Sequence, residues 1–338
     1  MSSFLKNKYQ IDRYNRQRLI NYRKLQQKQL QKILSETELS PKTELSPKTD
    51  NINLEILDKK NINNIPNFIK LNEDKKSFEK YKYIMLEKQN LIIYVYVVCY
   101  NEEFIIPYFL KHYDFATKIY IYDNCSTDNS VEILRQDPRC EIIYFNSKFD
   151  DTINQTIKNN CWKKHRNKCD YCIVCDMDEF MWYPNNLYDK LEKSKKENII
   201  FSLFPVRGFS MVSENNNLNK EEYLYKQIKK GYFSEEYSKT NMFSPYHILD
   251  MNYSPGSHQC KPIFINENLN TGFEIYLLHY KYIGGINRLK LRQIEYSKRI
   301  SESNIENNHG KHYYNIKSIY EQYNNVIHKS KYLDFIQK

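Results

Sequence analysis

From Leu91 onward the chain alternates apolar blocks with polar breaks. Leu91-Ile92-Ile93-Tyr94-Val95-Tyr96-Val97-Val98 is a continuous apolar run, the pattern of a strand covered on both faces. Cys99-Tyr100-Asn101-Glu102-Glu103 ends it, and Phe104–Tyr113 reads as a helix with Pro107 in an early turn. Lys118–Tyr122 predicts a second strand. It runs into Asp123-Asn124-Cys125-Ser126-Thr127-Asp128, a cluster of turn and capping residues before a helix over about 129–136. Glu141–Phe145 predicts a third strand, Thr152–His165 a helix and Tyr171–Cys175 a fourth strand. Strands alternating with helices of this length predict an α/β fold, a Rossmann-type, mainly parallel sheet with helices on both faces.

Upstream of residue 89 the pattern changes. Residues 5–34 are rich in Lys, Arg, Gln and Leu and predict a basic helix. Thr37-Glu38-Leu39-Ser40-Pro41-Lys42 is then repeated as Thr43-Glu44-Leu45-Ser46-Pro47-Lys48, and the Ser-Pro steps predict a linker. Residues 50–90 stay polar, with one helix expected near 75–86. The division expected is a basic N-terminal tail over 1–88, a body over 89–315 and a C-terminal helical extension over 316–338.

The net charge of +10 changes this picture only in the tail. Residues 1–35 hold nine Lys/Arg against one acid, Asp12, and residues 91–338 are only +2. A nucleic-acid-binding body is therefore not expected. No stretch has the length and apolarity of a membrane span, and the first residues lack the apolar core of a secretory signal. A cytoplasmic location with reduced thiols is the simpler expectation. The abundance of Asn, Ile, Lys and Tyr fits an AT-rich genome, such as that of a protist or large DNA virus. Cys169, Cys172 and Cys175 resemble zinc ligands in spacing, but along a strand 169 and 175 face one way and 172 the other, so the three are not expected to converge.

Ligands on parallel α/β sheets bind outside the carboxyl ends of the strands. Asn101-Glu102, Asp123–Asp128 and Asp176–Glu179 all fall there. Asp176 and Asp178 are spaced i, i+2, so they project to one side of a strand and suit a hard cation, Mn²⁺ or Mg²⁺, completed by substrate phosphates. A nucleotidyltransferase on a related sheet would carry a Gly-rich basic loop near the first strand, and the sequence has none.

These stretches resemble glycosyltransferases of the GT-A type, in the family 2-like branch and also the family 92 branch. Asn101-Glu102-Glu103 resembles that branch's Asn-Glu loop, Asp123–Asp128 its nucleotide-binding turn, and Asp176-Met177-Asp178-Glu179-Phe180 its Asp-x-Asp metal motif. Ser254-Pro255-Gly256-Ser257-His258 is similar to its Gly-x-His element. Leu277-Leu278-His279-Tyr280-Lys281-Tyr282, followed by Arg288, Arg292, Tyr296 and Arg299, is similar to its Leu-His-Tyr strand and Arg-bearing helix. The chain departs from the pattern at Asn124-Cys125, where the family often has Asp-Gly. The resemblance covers about residues 91–315.

The resemblance implies metal-dependent, inverting transfer of a sugar, a hexose above all, from a nucleotide-diphosphate sugar (a UDP-sugar by preference) to a glycan, protein or lipid hydroxyl. A non-catalytic nucleotide- or sugar-binding module with a partner-recruiting tail is the alternative. Asp178 would coordinate the metal, with Asp176 on the ribose or metal and His258 as a further metal or diphosphate contact. Asn101, Glu102, Asp123, Asn124 and Arg292 would line the donor pocket. Trp182 and Tyr183 either stack on a sugar or cap the core. Asp250, Glu214 and Glu274 are the candidates for general base, and none is distinguished by the sequence.

Overall fold

In a computed structural model of the chain, residues 90–338 are described, apart from 216, 266–269, 308, 311–317 and 337–338. The expected basic helix, linker and helix near 75–86 lie outside the described residues. Those described fall within one compact unit.

The first sheet grows from the apolar blocks. β1 (Ile93–Cys99) is its centre, flanked by β2 (Lys118–Asp123) and β4 (Tyr171–Asp176), with β3 (Cys140–Tyr144) beyond β2. These four strands run parallel, and β8 (Met242–Phe243) closes the β4 edge antiparallel. Both faces are buried, as a continuous apolar run requires. Val95, Val97, Ile119, Ile121 and Ile173 enter one core, which also holds Phe109 and Leu134 from α1 (Ile106–His112) and α2 (Ser130–Arg135). Tyr96, Tyr120, Tyr122, Cys172 and Val174 enter another with Ile157 from α3 (Asp151–Asn160). Fully burying each aliphatic residue contributes about 1.5–3 kcal/mol. Asp150 fixes the start of α3 by accepting from the N–H groups of Thr152 and Ile153.

The register aligns the strand ends. Val98 pairs with Tyr122 on one side and with Asp176 on the other. The polar residues that follow β1, β2 and β4 therefore emerge side by side on one rim.

A second sheet, ordered β12-β7-β6-β11-β5, corrects the expectation of one mainly parallel sheet. It comprises β5 (Glu179–Trp182), β6 (Val206–Val212), β7 (Lys230–Phe233), β11 (Ile275–Tyr282) and β12 (Lys331–Tyr332). Only β6 and β11 run parallel in it. A short ladder joins β9 (Ile248–Asp250) to β10 (Ile263–Phe264). Between the sheets the chain has two residues, Met177 and Asp178, because β4 ends at Asp176 in the first sheet and β5 begins at Glu179 in the second. The acidic motif is thus the joint between the sheets.

α4 (Leu187–Lys196) and the short α5 (Leu224–Gln227) precede β6 and β7. α6 (Gly285–Arg299) follows β11, and α7 (Glu302–Glu306) follows it in turn. The segment expected as a C-terminal extension is built into the second sheet. α8 (Ser318–Lys329) buries Ile319, Tyr323 and Val326 against Val212, Tyr282 and Leu289, and β12 pairs with β7. Among the described residues no helix is long and apolar enough to cross a membrane.

Cys169 precedes β4, outside strand geometry, and its Sγ comes within 3.5 Å of that of Cys172. Strand alternation alone had separated these two thiols. Cys175 packs in the opposite core from Cys172, as expected, but also from Cys169, with which alternation had grouped it.

Candidate active-site cleft

A cleft of about 570 Å³ opens at the rim where β1, β2 and β4 end and the second sheet begins. Of the residues expected in a site, Glu102, Asn124, Asp176, Asp178, His258 and Arg292 line it. They come from five separate stretches of the chain.

The acidic motif is held by cations. Asp178 is buried at the joint. Arg292 from α6 donates to its Oδ2 at 3.0 Å, and His279 Nε2 of β11 lies 3.4 Å from its Oδ1. Burial opposes the charge on Asp178, yet His279 and Arg292 hold its pKa well below the carboxylate range. Asp176 is the more open of the two, with 39% of its side chain accessible. Its Oδ1 is 2.7 Å from the buried Lys158 of α3, and its Oδ2 is 3.8 Å from the buried Lys239. Burial again acts against the charge, and the two lysines lower the pKa of Asp176. Glu179, fully buried, pairs with Lys239, accepts from Asn241 at 3.0 Å and accepts from the Asp176 N–H at 3.0 Å, so it braces the motif.

Glu102 forms the floor on the other side of Arg292. It takes a hydrogen bond from Arg292, and Arg288 comes within 3.7 Å of it. Its carboxyl pKa is raised by burial and by Asp178, against the pull of Arg292 and Arg288. The three arginines of α6 therefore face inward to this region and not, as a basic helix face usually does, to solvent. Arg299 donates to the carbonyls of Asn124 and Ser147 and lies 3.5 Å from the ring centroid of Tyr100. Lys281 of β11 also lines the cleft, its pKa lowered to about 8 by burial and by Arg292.

Two expected donor contacts are used by the fold itself. Asp123 is fully buried, and its carboxylate accepts from the N–H and hydroxyl of Ser126, closing the turn after β2. Asn101 sits at φ 50° and accepts from the N–H groups of Thr127 and Asp128, pinning the loop after β1 to that same turn. Neither lines the cleft, whereas Asn124 does. Its side chain accepts from the Ser147 N–H at 2.9 Å.

His258 lines the cleft through a 3₁₀ turn, Pro255–Ser257. Its Nδ1 is 2.9 Å from the carbonyl oxygen of Glu236. Gly256 has φ +71°, and a Cβ there would sit 2.8 Å from the His258 ring. Glycine is required at this position for its backbone conformation and for the room it leaves the imidazole.

The three candidate bases all lie off the cleft. Asp250 on β9 pairs with Lys163 at 2.5 Å, and Glu274 lies 3.8 Å from Arg207 on the surface. Glu214 is exposed at a different surface pocket, beside β7. Trp182 and Tyr183 border another cavity, of about 520 Å³, and Trp182 packs against Tyr225, Tyr276 and Phe335. The core-capping alternative describes Trp182. Lys158, Lys239, Asp151 and Glu236 are cleft residues that sequence reasoning missed. Each is a single charged side chain in a polar stretch, without spacing that sets it apart.

A divalent ion on Asp176 and Asp178 does not fit this arrangement. Oxygens of both carboxylates already face Lys158, Lys239, His279 or Arg292, and a second cation among these would be repelled. Among the described residues no three His, Cys, Asp or Glu side chains form a metal-holding group.

No family model matches the chain, and no curated protein matches it. Among solved structures, the crystal structure of HddC from Yersinia pseudotuberculosis is similar over 61% of this chain and 99% of its own, at 11% identity and a TM-score of 0.31. A likeness that distant has no bearing on activity.

Proposed function

We propose that the protein is a glycosyltransferase of GT-A type that moves a sugar from a nucleotide-diphosphate sugar, a UDP-sugar by preference, to a hydroxyl of a glycan, protein or lipid. The observation that carries this reading is the convergence of Glu102, Asn124, Asp176, Asp178, His258 and Arg292 on one cleft at the carboxyl rim of the parallel strands, where such sheets bind ligands.

The cleft suits a donor of this kind. Tyr100, with Arg299 over its ring, and Asn124 form the wall at the ends of β1 and β2, and that wall takes the nucleoside. Lys158, Lys239, Lys281, Arg292 and Arg299 line the same cleft and supply positive charge to the diphosphate as it leaves. Asp176 and Asp178 hold the long cationic side chains in place, so the leaving group meets an ordered set of donors. A divalent cation, expected from the motif, would need Lys158 or Arg292 to release its carboxylate.

The same charge pairing favours one second reading, a module that binds the nucleotide sugar without turning it over. The full chain incubated with UDP- and GDP-sugars, in Mn²⁺, Mg²⁺ or EDTA, separates the two by release of nucleoside diphosphate. Turnover of at least one donor is expected. Donor binding by calorimetry with no turnover under any condition would leave the binding module.

A further inference from the structure

Five carboxylates line the cleft: Glu102, Asp151, Asp176, Asp178 and Glu236. Three are occupied by ion pairs, Glu102 and Asp178 with Arg292, and Asp176 with Lys158. Asp151 begins α3 on the first-sheet side, where its Oδ2 accepts from Asn304 Nδ2 at 3.2 Å. Glu236 differs from all four. It is exposed, and among the described residues no hydrogen bond or ion pair engages its carboxylate.

The backbone beneath Glu236 is nevertheless fixed. It sits in the 3₁₀ turn Glu235–Tyr237, which follows β7 in the second sheet. Ser238 Oγ accepts from the N–H of Gly208 on β6 at 3.0 Å. The ring of Tyr237 packs 4.0 Å from that of His279, the imidazole that approaches Asp178. The carbonyl of Glu236 meets His258 Nδ1. An open carboxylate is thus held on a braced turn beside the acidic motif. It stands on the second-sheet half of the cleft, while Tyr100, Asn124 and Asp151 belong to the first-sheet half.

We infer that Glu236 is the general base of the transfer, an inference that rests on the glycosyl-transfer reading. The acceptor hydroxyl, or water in donor hydrolysis, loses its proton to the Glu236 carboxylate as its oxygen bonds to the anomeric carbon. The bond from that carbon to the diphosphate oxygen breaks, and the electron pair leaves with the diphosphate. A general base needs a carboxylate free to take the acceptor's proton within hydrogen-bond reach, and among the described residues Glu236 is the cleft carboxylate that no hydrogen bond or ion pair engages.

The test uses the full chain with water as acceptor and a donor that the parent turns over. If the parent turns over no donor, the glycosyl-transfer reading fails, and Glu236 falls with it. With an active parent, Glu236→Gln should lower the hydrolysis rate by about 10²–10⁴-fold while the donor Kd stays within about twofold of the parent value. Melting temperature should not move, since the residue is exposed. Azide needs no deprotonation, so it should restore turnover in Glu236→Ala and yield glycosyl azide. A parental rate in Glu236→Gln overturns the assignment, and so does a lost rate that azide leaves unchanged. An azide-rescued loss in Asp151→Asn, with Glu236→Gln at the parental rate, would move the role to Asp151 and overturn it equally.

Discussion

The Asp-x-Asp spacing invites reading Asp178 as a negative charge awaiting a metal, and its surroundings say otherwise. It is buried between Arg292 and His279, and the chain supplies both compensating groups. Removing one partner of a buried pair costs more than the pair contributes, because the remaining charge is left without water. Asp178→Ala should therefore destabilise the protein by about 3 kcal/mol, at the low end of such effects because Arg292 keeps Glu102. Urea unfolding at pH 7 measures this, and an unchanged or raised midpoint would show that Asp178 is a strained charge with no structural role. Residue types were legible at this scale, and residue partners were not. Asp123 was readable as a polar group at a strand end, but whether its carboxylate faces a ligand or Ser126 depends on how the turn closes, which no spacing encodes.

The elements of the first sheet were the most legible, because strands covered on both faces leave continuous apolar runs and their helices begin at recognisable caps. The second sheet was largely hidden. Its strands β7 and β12 are only four and two residues long, and strands so short carry no periodicity to count. One glycine there has a consequence for the site. On β6, a Cβ at Gly208 would overlap the backbone carbonyl of Tyr237. The neighbour is backbone, so it cannot rotate away. Gly208→Ala should push the 235–237 turn off β6 and cost about 1–3 kcal/mol. The Tyr237–His279 contact and Glu236 should shift with it. Turnover should fall further than the melting temperature alone accounts for, and parental turnover at full occupancy of the fold would show that the turn's position is unimportant.

For the whole molecule, the response to acid follows from buried imidazoles more than from net charge. Most of the +10 lies in residues 1–35, so charge repulsion within the body is modest. His112 is buried and donates from Nε2 to the carbonyl of Met181 at 2.7 Å, and burial lowers its pKa to about 4. His165, stacked on Tyr120 at 4.3 Å, is likewise lowered to about 4 by burial and neighbouring lysines. Both are neutral in the folded protein at pH 5–6.5, whereas in the unfolded chain they take up protons below about 6.5. Stability is therefore fully present above pH 6.5 and is lost as pH falls toward 4, because the unfolded state binds the extra protons. For His112 the loss should approach about 1.4 kcal/mol per pH unit within that window. The raised carboxyls of Glu102 and Asp151 act in the opposite sense, so the parent's slope alone is ambiguous and the comparison must be with a variant. His112→Asn removes the titrating group and leaves the other terms in place. Urea midpoints at pH 6.5, 5.75 and 5.0 should fall more steeply for the parent than for His112→Asn, and parallel profiles would mean that His112 protonates in the folded state at little cost.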